Sequence, residues 1–219
     1  MAKKLPIKNL DDVTRESSQR ILLEEYRLLE NRFDQNRNQG ITRMNFFITS
    51  TSVLLGSVLV FGSRDTVSLQ YLRLILLVAL IVLSAIGLDV YIWLIQRDIS
   101  ADRYERGLAR IRYYFLRLDP GIEDYFINNT FDIPTRNLVR KSSGVRGAAQ
   151  IVESFLLGLV AMLLSTFLSV TIEVSISIGA SSAVLIFSLL EASARIRLNK
   201  ALKIAEDNIK FKSNEKRDT

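Results

Sequence analysis

The chain has 219 residues, of which 48% are hydrophobic and 24% charged, and its formal net charge is +6. It contains no cysteine and no histidine, which excludes disulfides and thiolate chemistry and removes the usual general base and the commonest zinc ligand. The charges lie in blocks separated by nearly uncharged stretches, and this segregation predicts an integral membrane protein.

Two of the apolar stretches follow each other closely in the first half of the chain. Phe46–Phe61 has no charged residue, and Tyr71–Gln96 has only Arg73 and Asp89. An α-helix rises about 1.5 Å per residue, so each stretch predicts a helix that crosses a hydrocarbon core of roughly 30 Å. Because the connection between them is short, the two helices are expected to form an antiparallel hairpin.

A second hairpin is predicted from Ala148–Ile172 and Ile176–Ala194. The junction between its two helices has an unusual pattern, because residues 169–178 alternate polar and apolar side chains with period two and are rich in β-branched residues. Such alternation is typical of a strand. Two interpretations therefore stand for 169–178: helix ends joined by a tight turn, or a local extended segment.

The distribution of basic residues predicts the orientation of these hairpins. Residues 1–43 contain 9 Lys and Arg, residues 97–149 contain 10, and the chain after Ala194 contains 8. The two expected outer turns carry only Arg64 and Arg73. By the positive-inside rule, the basic side of the membrane is the cytoplasm, so both termini are expected to be cytoplasmic.

Apolar residues at helical spacing predict a cytoplasmic helix on each side of the first hairpin, the second ending at Pro120. The first helix runs toward the membrane and the second away from it, so their apolar faces are expected to pack as an antiparallel pair. These faces, here called the cytoplasmic seam, consist of Leu22, Tyr26, Leu29, Phe33, Tyr104, Leu108, Ile111, Phe115 and Leu118.

The predicted fold is an all-α integral membrane protein with four transmembrane helices, arranged as two in–out–in hairpins with cytoplasmic helical extensions. The polar segment Gln35–Gly40 is either a break in the first helix or the point at which a continuous helix enters the membrane. The expected segments are a cytoplasmic N-terminal helix (1–43), the first hairpin (44–96), a cytoplasmic helix and loop (97–147), the second hairpin (148–194), and a cytoplasmic C-terminal helix and tail (195–219).

Polar residues inside the predicted spans are the candidates for a pore or an interface. Small and hydroxyl-bearing residues in the first span let helices approach closely, either against the second span or against another copy. Intramembrane acids either pair with nearby arginines at the inner interface or form a vestibule that attracts cations. Asp89 is expected to lie deepest. The candidates are Thr49, Ser52, Gly56, Asp89, Glu153 and Glu191.

The second cytoplasmic helix carries a stripe of arginines, Arg103, Arg106, Arg110 and Arg117. Such a stripe either reflects the positive-inside rule or binds an anionic lipid or a phosphorylated ligand. Nucleic acid is not an expected partner, since no recognition motif accompanies the charge. The sequence also has no GxSxG, Walker or HExxH motif and no spaced set of metal ligands, so no enzyme, metal or cofactor is expected.

The layout of residues 12–118, including the run RYERGLARIRYYFLRLDP at 103–120, resembles the SLATT-type membrane effectors of bacteria. The second hairpin is additional to that layout. The resemblance implies an oligomeric effector of the bacterial inner membrane that permeabilises or depolarises it when a cytoplasmic signal arrives, as in anti-phage systems. Implied partners are the lipid bilayer, further copies of the chain and a cytoplasmic signalling or sensor protein. The alternative is a non-conducting scaffold or accessory subunit whose helical bundle docks a cytoplasmic partner.

Overall fold

The computed structural model describes residues 10–62, 68–126 and 144–209. These ranges form helices and contain no strand, which confirms the all-α prediction. The elements are α1 (Leu10–Gly62), α2 (Leu69–Leu118), a short 3₁₀ helix (Pro120–Tyr125), α3 (Val145–Phe167) and α4 (Ile172–Asp207). Most of the first expected outer turn, most of the cytoplasmic loop and the end of the tail lie outside the described residues.

The first helix is continuous from Leu10 to Gly62, a run of 53 residues or about 80 Å. The polar segment Gln35–Gly40 is therefore part of the helix and not a break. Gly40 has a packing role in this segment, because a Cβ added there would lie 2.8 Å from Cδ of Arg97 and would collide with the Arg97 guanidinium. The glycine thus makes room for an arginine from α2 at the level where the apolar stretch begins.

The second helix is also long, at 50 residues, and ends at Leu118 just before Pro120. Proline disfavours a helical conformation in the residue before it, and here Asp119 is extended. The Asp119 carboxylate accepts a hydrogen bond of 3.0 Å from the backbone N–H of Gly121, which starts the 3₁₀ helix.

The junction of α3 and α4 is a tight turn and not an extended segment. Helix α3 ends at Phe167, Ser169 adopts a left-handed conformation with φ of 60°, and α4 begins at Ile172. The alternating residues from Ile172 onward are helical, and Ser175 is the buried one among them. The period-two pattern was misleading because most of this first part of α4 is exposed, so the positions of its polar and apolar residues are not constrained by a core.

Within the described residues, three helices are long and apolar enough to span a membrane, namely α2, α3 and α4. Helix α1 is not among them. Its apolar portion nevertheless packs alongside the apolar half of α2, since Met44 and Phe47 are buried in the same core cluster as Leu80, Leu83 and Leu94.

The core lies between all four helices and is tightest between α3 and α4. Gly158 and Gly179 face each other there, and a Cβ on either would lie 2.8–3.0 Å from the carbonyl oxygen of the other. Helices can approach this closely only where side chains are absent. Leu156 of α3 and Leu198 of α4 are fully buried in the same cluster.

The N-terminal part of α1 and the C-terminal part of α2 lie side by side. A Cβ on Gly107 of α2 would be 3.0 Å from Cδ1 of Leu29 in α1, and the guanidinium of Arg112 lies 5.7 Å from the ring centre of Tyr26 and donates to its hydroxyl at 3.3 Å. Within the cytoplasmic seam, Leu108 and Ile111 are buried and the other seven residues are half-buried.

Candidate functional site

The predicted interface residues of α1 point outward. Thr49, Ser52 and Gly56 are all exposed, and a Cβ added to Gly56 would meet nothing within 4 Å. The Ser52 hydroxyl donates 2.9 Å to the carbonyl of Ile48, within its own helix. This face is therefore not packed against α2, so the first interpretation, contact with the second span, does not hold. The second interpretation, contact with another copy or a pore, remains a prediction.

Asp89 is on the exposed surface of α2. Asp89 lies two residues after Gly87, which faces the core. Two residues turn an α-helix by about 200°, so Asp89 lies on the side of α2 opposite the core. The structure gives Asp89 no hydrogen bond and no ion pair to any described residue. Its neighbours on the same surface, Val82 and Ile92, are apolar and exposed. Asp89 is thus an exposed acid with apolar neighbours, and one turn further along α2 the Arg43 guanidinium lies 4.5 Å from the ring centre of Trp93.

Glu153 of α3 has the opposite placement. Its side chain is 0% exposed, and its carboxylate lies against the backbone of Gly87, where an added Cβ would overlap Oε2. Among the described residues, neither carboxylate oxygen has a hydrogen-bond partner. The Phe47 ring of α1 closes the same space, because its Cζ lies 2.6 Å from that Cβ position. The carboxylate thus lies in a closed pocket between α1, α2 and α3.

We expect Gly87→Ala to destabilise the chain by about 1–3 kcal/mol, because the methyl group overlaps the Glu153 carboxylate. The double variant Gly87→Ala/Glu153→Ala should be more stable than the sum of the single changes implies, since the closer of the two overlapping groups is gone and only the Phe47 ring must still shift. Detergent-based unfolding measures the four free energies of the cycle. The matched control is Gly56→Ala, which should combine additively with Glu153→Ala. Additive energies for the Gly87 pair would contradict this contact.

Polar groups next to Glu153 connect three helices. The Gln150 side chain donates to the carbonyl of Phe187, and the Tyr91 hydroxyl donates to the carbonyl of Leu190, each at 3.0 Å. Both acceptors are backbone groups of α4. Glu191 of α4 pairs with Arg195 at 2.8 Å on the same helix. Glu191 is one of the six candidates, and its ion pair with Arg195 agrees with the interpretation that intramembrane acids pair with nearby arginines.

Sequence reasoning missed Asp98, an acid that forms ion pairs with arginines of two helices near the end of the apolar stretch of α2. It accepts from Arg97 at 2.8 Å and from Arg146 of α3 at 3.1 Å. Asn36 of α1 donates 3.0 Å to the backbone carbonyl of Arg97, so α1, α2 and α3 converge there. Both of these arginines thus bind Asp98, which is not one of the six candidate residues. The available signal was its position directly after the apolar stretch of α2.

The arginine stripe divides into two groups. Arg103 and Arg106 line a cavity of about 500 Å³ between α2 and the C-terminal part of α4, whereas Arg110 and Arg117 do not. The other basic residues of this cavity are Arg197 and Lys200 of α4. Sequence spacing within one helix could not reveal this set, because half of it lies about a hundred residues away.

Comparison of the chain with models of known protein families, with curated proteins and with solved structures gives no match in any of the three. What the chain does must therefore be inferred from its own side chains. Two of its features bear on that inference. Polar and acidic groups lie on the exposed surface of the apolar region, and a basic cavity lies beside the end of that region from which α2 continues to Leu118.

Proposed function

We propose that the chain is an oligomeric effector of the bacterial inner membrane, which forms an ion-conducting pore or disrupts the membrane in response to a cytoplasmic signal. The observation that carries the proposal is the exposed position of Asp89 within the apolar half of α2. A charged side chain at the centre of a membrane helix costs roughly 2.5–3.5 kcal/mol on insertion scales. Contact with water in a pore, or cover by another copy, removes that penalty.

The outer surface of α1 supports the same proposal. Thr49, Ser52 and Gly56 place hydroxyl groups and a bare backbone where a lone membrane protein would present apolar side chains to lipid. A groove of about 580 Å³ between α1 and α2 begins beside this surface and is lined by Thr49, Ser50 and Ser57 among apolar residues. Hydroxyl-bearing surfaces of this kind are suited to helix–helix contact between copies.

The proposed topology has four spans with both termini in the cytoplasm. The burial of Met44 and Phe47 against α2 supports a fourth span in α1, and the distribution of basic residues supports the orientation. The two hairpins are then α1–α2 and α3–α4. The layout that resembles SLATT-type effectors corresponds to α1 and α2, and the cytoplasmic seam would receive the signal from a sensor partner.

The test is ion flux through liposomes that contain the purified chain. We expect Asp89→Asn to leave assembly intact and to lower the preference for K⁺ over Cl⁻, because it removes a negative charge from the conducting path. The matched control is Glu173→Gln, which removes an exposed acid from the first turn of α4 and should leave selectivity unchanged. Liposomes that keep a potassium gradient despite the assembled wild-type protein and its activating partner would overturn the proposal.

One observation favours the alternative of a non-conducting scaffold. The α1–α2 pair continues well beyond the apolar region, to the contact of Tyr26 with Arg112, and so offers a long surface for a cytoplasmic partner. Under this alternative, neither the wild-type chain nor Asp89→Asn changes the ion permeability of liposomes.

A further inference from the structure

We propose that the cavity between α2 and the C-terminal part of α4 is a binding site for the phosphate headgroup of an anionic phospholipid. The proposal does not depend on ion conduction, since a scaffold or an effector could equally hold a lipid there. It rests on the charge of the cavity, on its position relative to the apolar region and on the character of its walls.

Basic side chains reach the cavity from two separate helices. Arg103 and Arg106 come from α2, and Arg197 and Lys200 come from α4, with Asp102 the one acid among the lining residues. Arg103, Arg197 and Lys200 are exposed, and an anion bound between the two helices would lower the repulsion among these like charges. Arginine in particular suits phosphate, because its planar fork donates two parallel hydrogen bonds to phosphate oxygens.

The position of the cavity indicates a ligand that comes from the bilayer. The bond from the Tyr91 hydroxyl to the Leu190 carbonyl fixes the register of α2 against α4. The cavity begins about one turn further along α2, at Ile95, and about two turns further along α4, at Arg197. Ile95 still belongs to the apolar stretch of α2. From there the cavity extends to Arg106, so it lies across the inner end of the apolar region. Basic pockets between spans on this side are typical sites for phospholipid headgroups.

The walls of the cavity fit an amphiphilic ligand better than a soluble one. Between the charged residues, Ile95, Ile99 and Ile204 contribute apolar surface. A lipid can place its phosphate against the cations and its glycerol and first acyl carbons against these side chains. Inorganic phosphate or a nucleotide phosphate would use the cations alone. Phosphate is the shared chemistry of these ligands, and the apolar walls favour the lipid.

The chain offers variants that separate this site from general surface charge. Arg103→Gln/Lys200→Gln removes two exposed cations from the cavity, one on each helix. Arg117→Gln/Lys203→Gln removes two exposed cations from the same helices outside the cavity. Both double variants change the net charge equally, and neither alters a buried residue, so folding should be retained in both.

The experiment is native mass spectrometry of the full chain with defined mixtures of phosphatidylglycerol and phosphatidylcholine. We expect the wild type and Arg117→Gln/Lys203→Gln to retain phosphatidylglycerol preferentially, and Arg103→Gln/Lys200→Gln to lose most of that preference. An equal loss in both variants, or no preference in the wild type, would overturn the site. A second arm adds inorganic phosphate or ATP at millimolar concentration. Displacement of the lipid by either would assign the cavity to a soluble phosphate ligand and would overturn the lipid proposal.

Discussion

Replacement of Gly158 with leucine is expected to separate α3 from α4 and to destabilise the chain by roughly 3 kcal/mol or more. A Cβ at this position would lie 2.8 Å from Cβ of Ala183 and 2.8 Å from the carbonyl oxygen of Gly179. The second of these is a backbone atom, which a rotamer change cannot move. The helices can only respond by moving apart, which would open gaps in the core around Leu156.

The measurement is the midpoint of thermal unfolding in mild detergent, followed by circular dichroism. Gly56→Leu is the matched control, because the same substitution there meets open space within the chain. It should leave the melting temperature of the monomer unchanged, while weakening assembly if copies contact each other through this face. If Gly158→Leu melted at the wild-type temperature, the close approach of α3 and α4 would be disproved.

Replacement of Ile111 with aspartate is expected to release the N-terminal part of α1 from α2. Ile111 is 6% exposed, next to the contacts that join Gly107 to Leu29 and Arg112 to Tyr26. An unpaired carboxylate in an apolar contact loses its hydration without compensation, so we expect a loss of about 3 kcal/mol. Cleavage of the α1 segment by added protease should become much faster.

The matched control is Ile21→Asp, which makes the same substitution in the cytoplasmic part of α1 at a side chain that is 68% exposed. Its protease resistance should equal that of the wild type. Equal sensitivity of the two variants would show that the effect comes from added charge and not from burial. Resistance of both would show that Ile111 is exposed to solvent in the assembled protein.

The sequence was sufficient for features that depend on local pattern. Pro120 marks the end of α2, and the apolar spacing of Leu108 and Ile111 identifies the face that is buried. Charge segregation likewise predicts apolar helices, of which three are long enough to span a membrane. Each of these signals is contained in one helix, where sequence distance and spatial distance are related by a fixed period.

Features that depend on which helices meet could not be predicted. Whether Asp89 and Gly56 face the core or the exposed surface depends on which side of each helix the other helices occupy. The sequence of a single helix does not contain that information. The placement of Glu153 against Gly87 joins residues 66 positions apart. Asp98 attracts Arg97 and Arg146 only because α1, α2 and α3 converge at that level.

Because α1 is a continuous helix, a rotation at one end can be transmitted along it. From Leu10 to Ser52 it contains no proline, and the one glycine of this part, Gly40, is enclosed by Arg97, so this part of the helix has no obvious hinge. A rotation imposed on its N-terminal part, at Tyr26 for example, must then be transmitted to Thr49 and Ser52. A partner that binds the cytoplasmic seam could in this way rotate the face that contains Thr49 and Ser52 without contacting the apolar region.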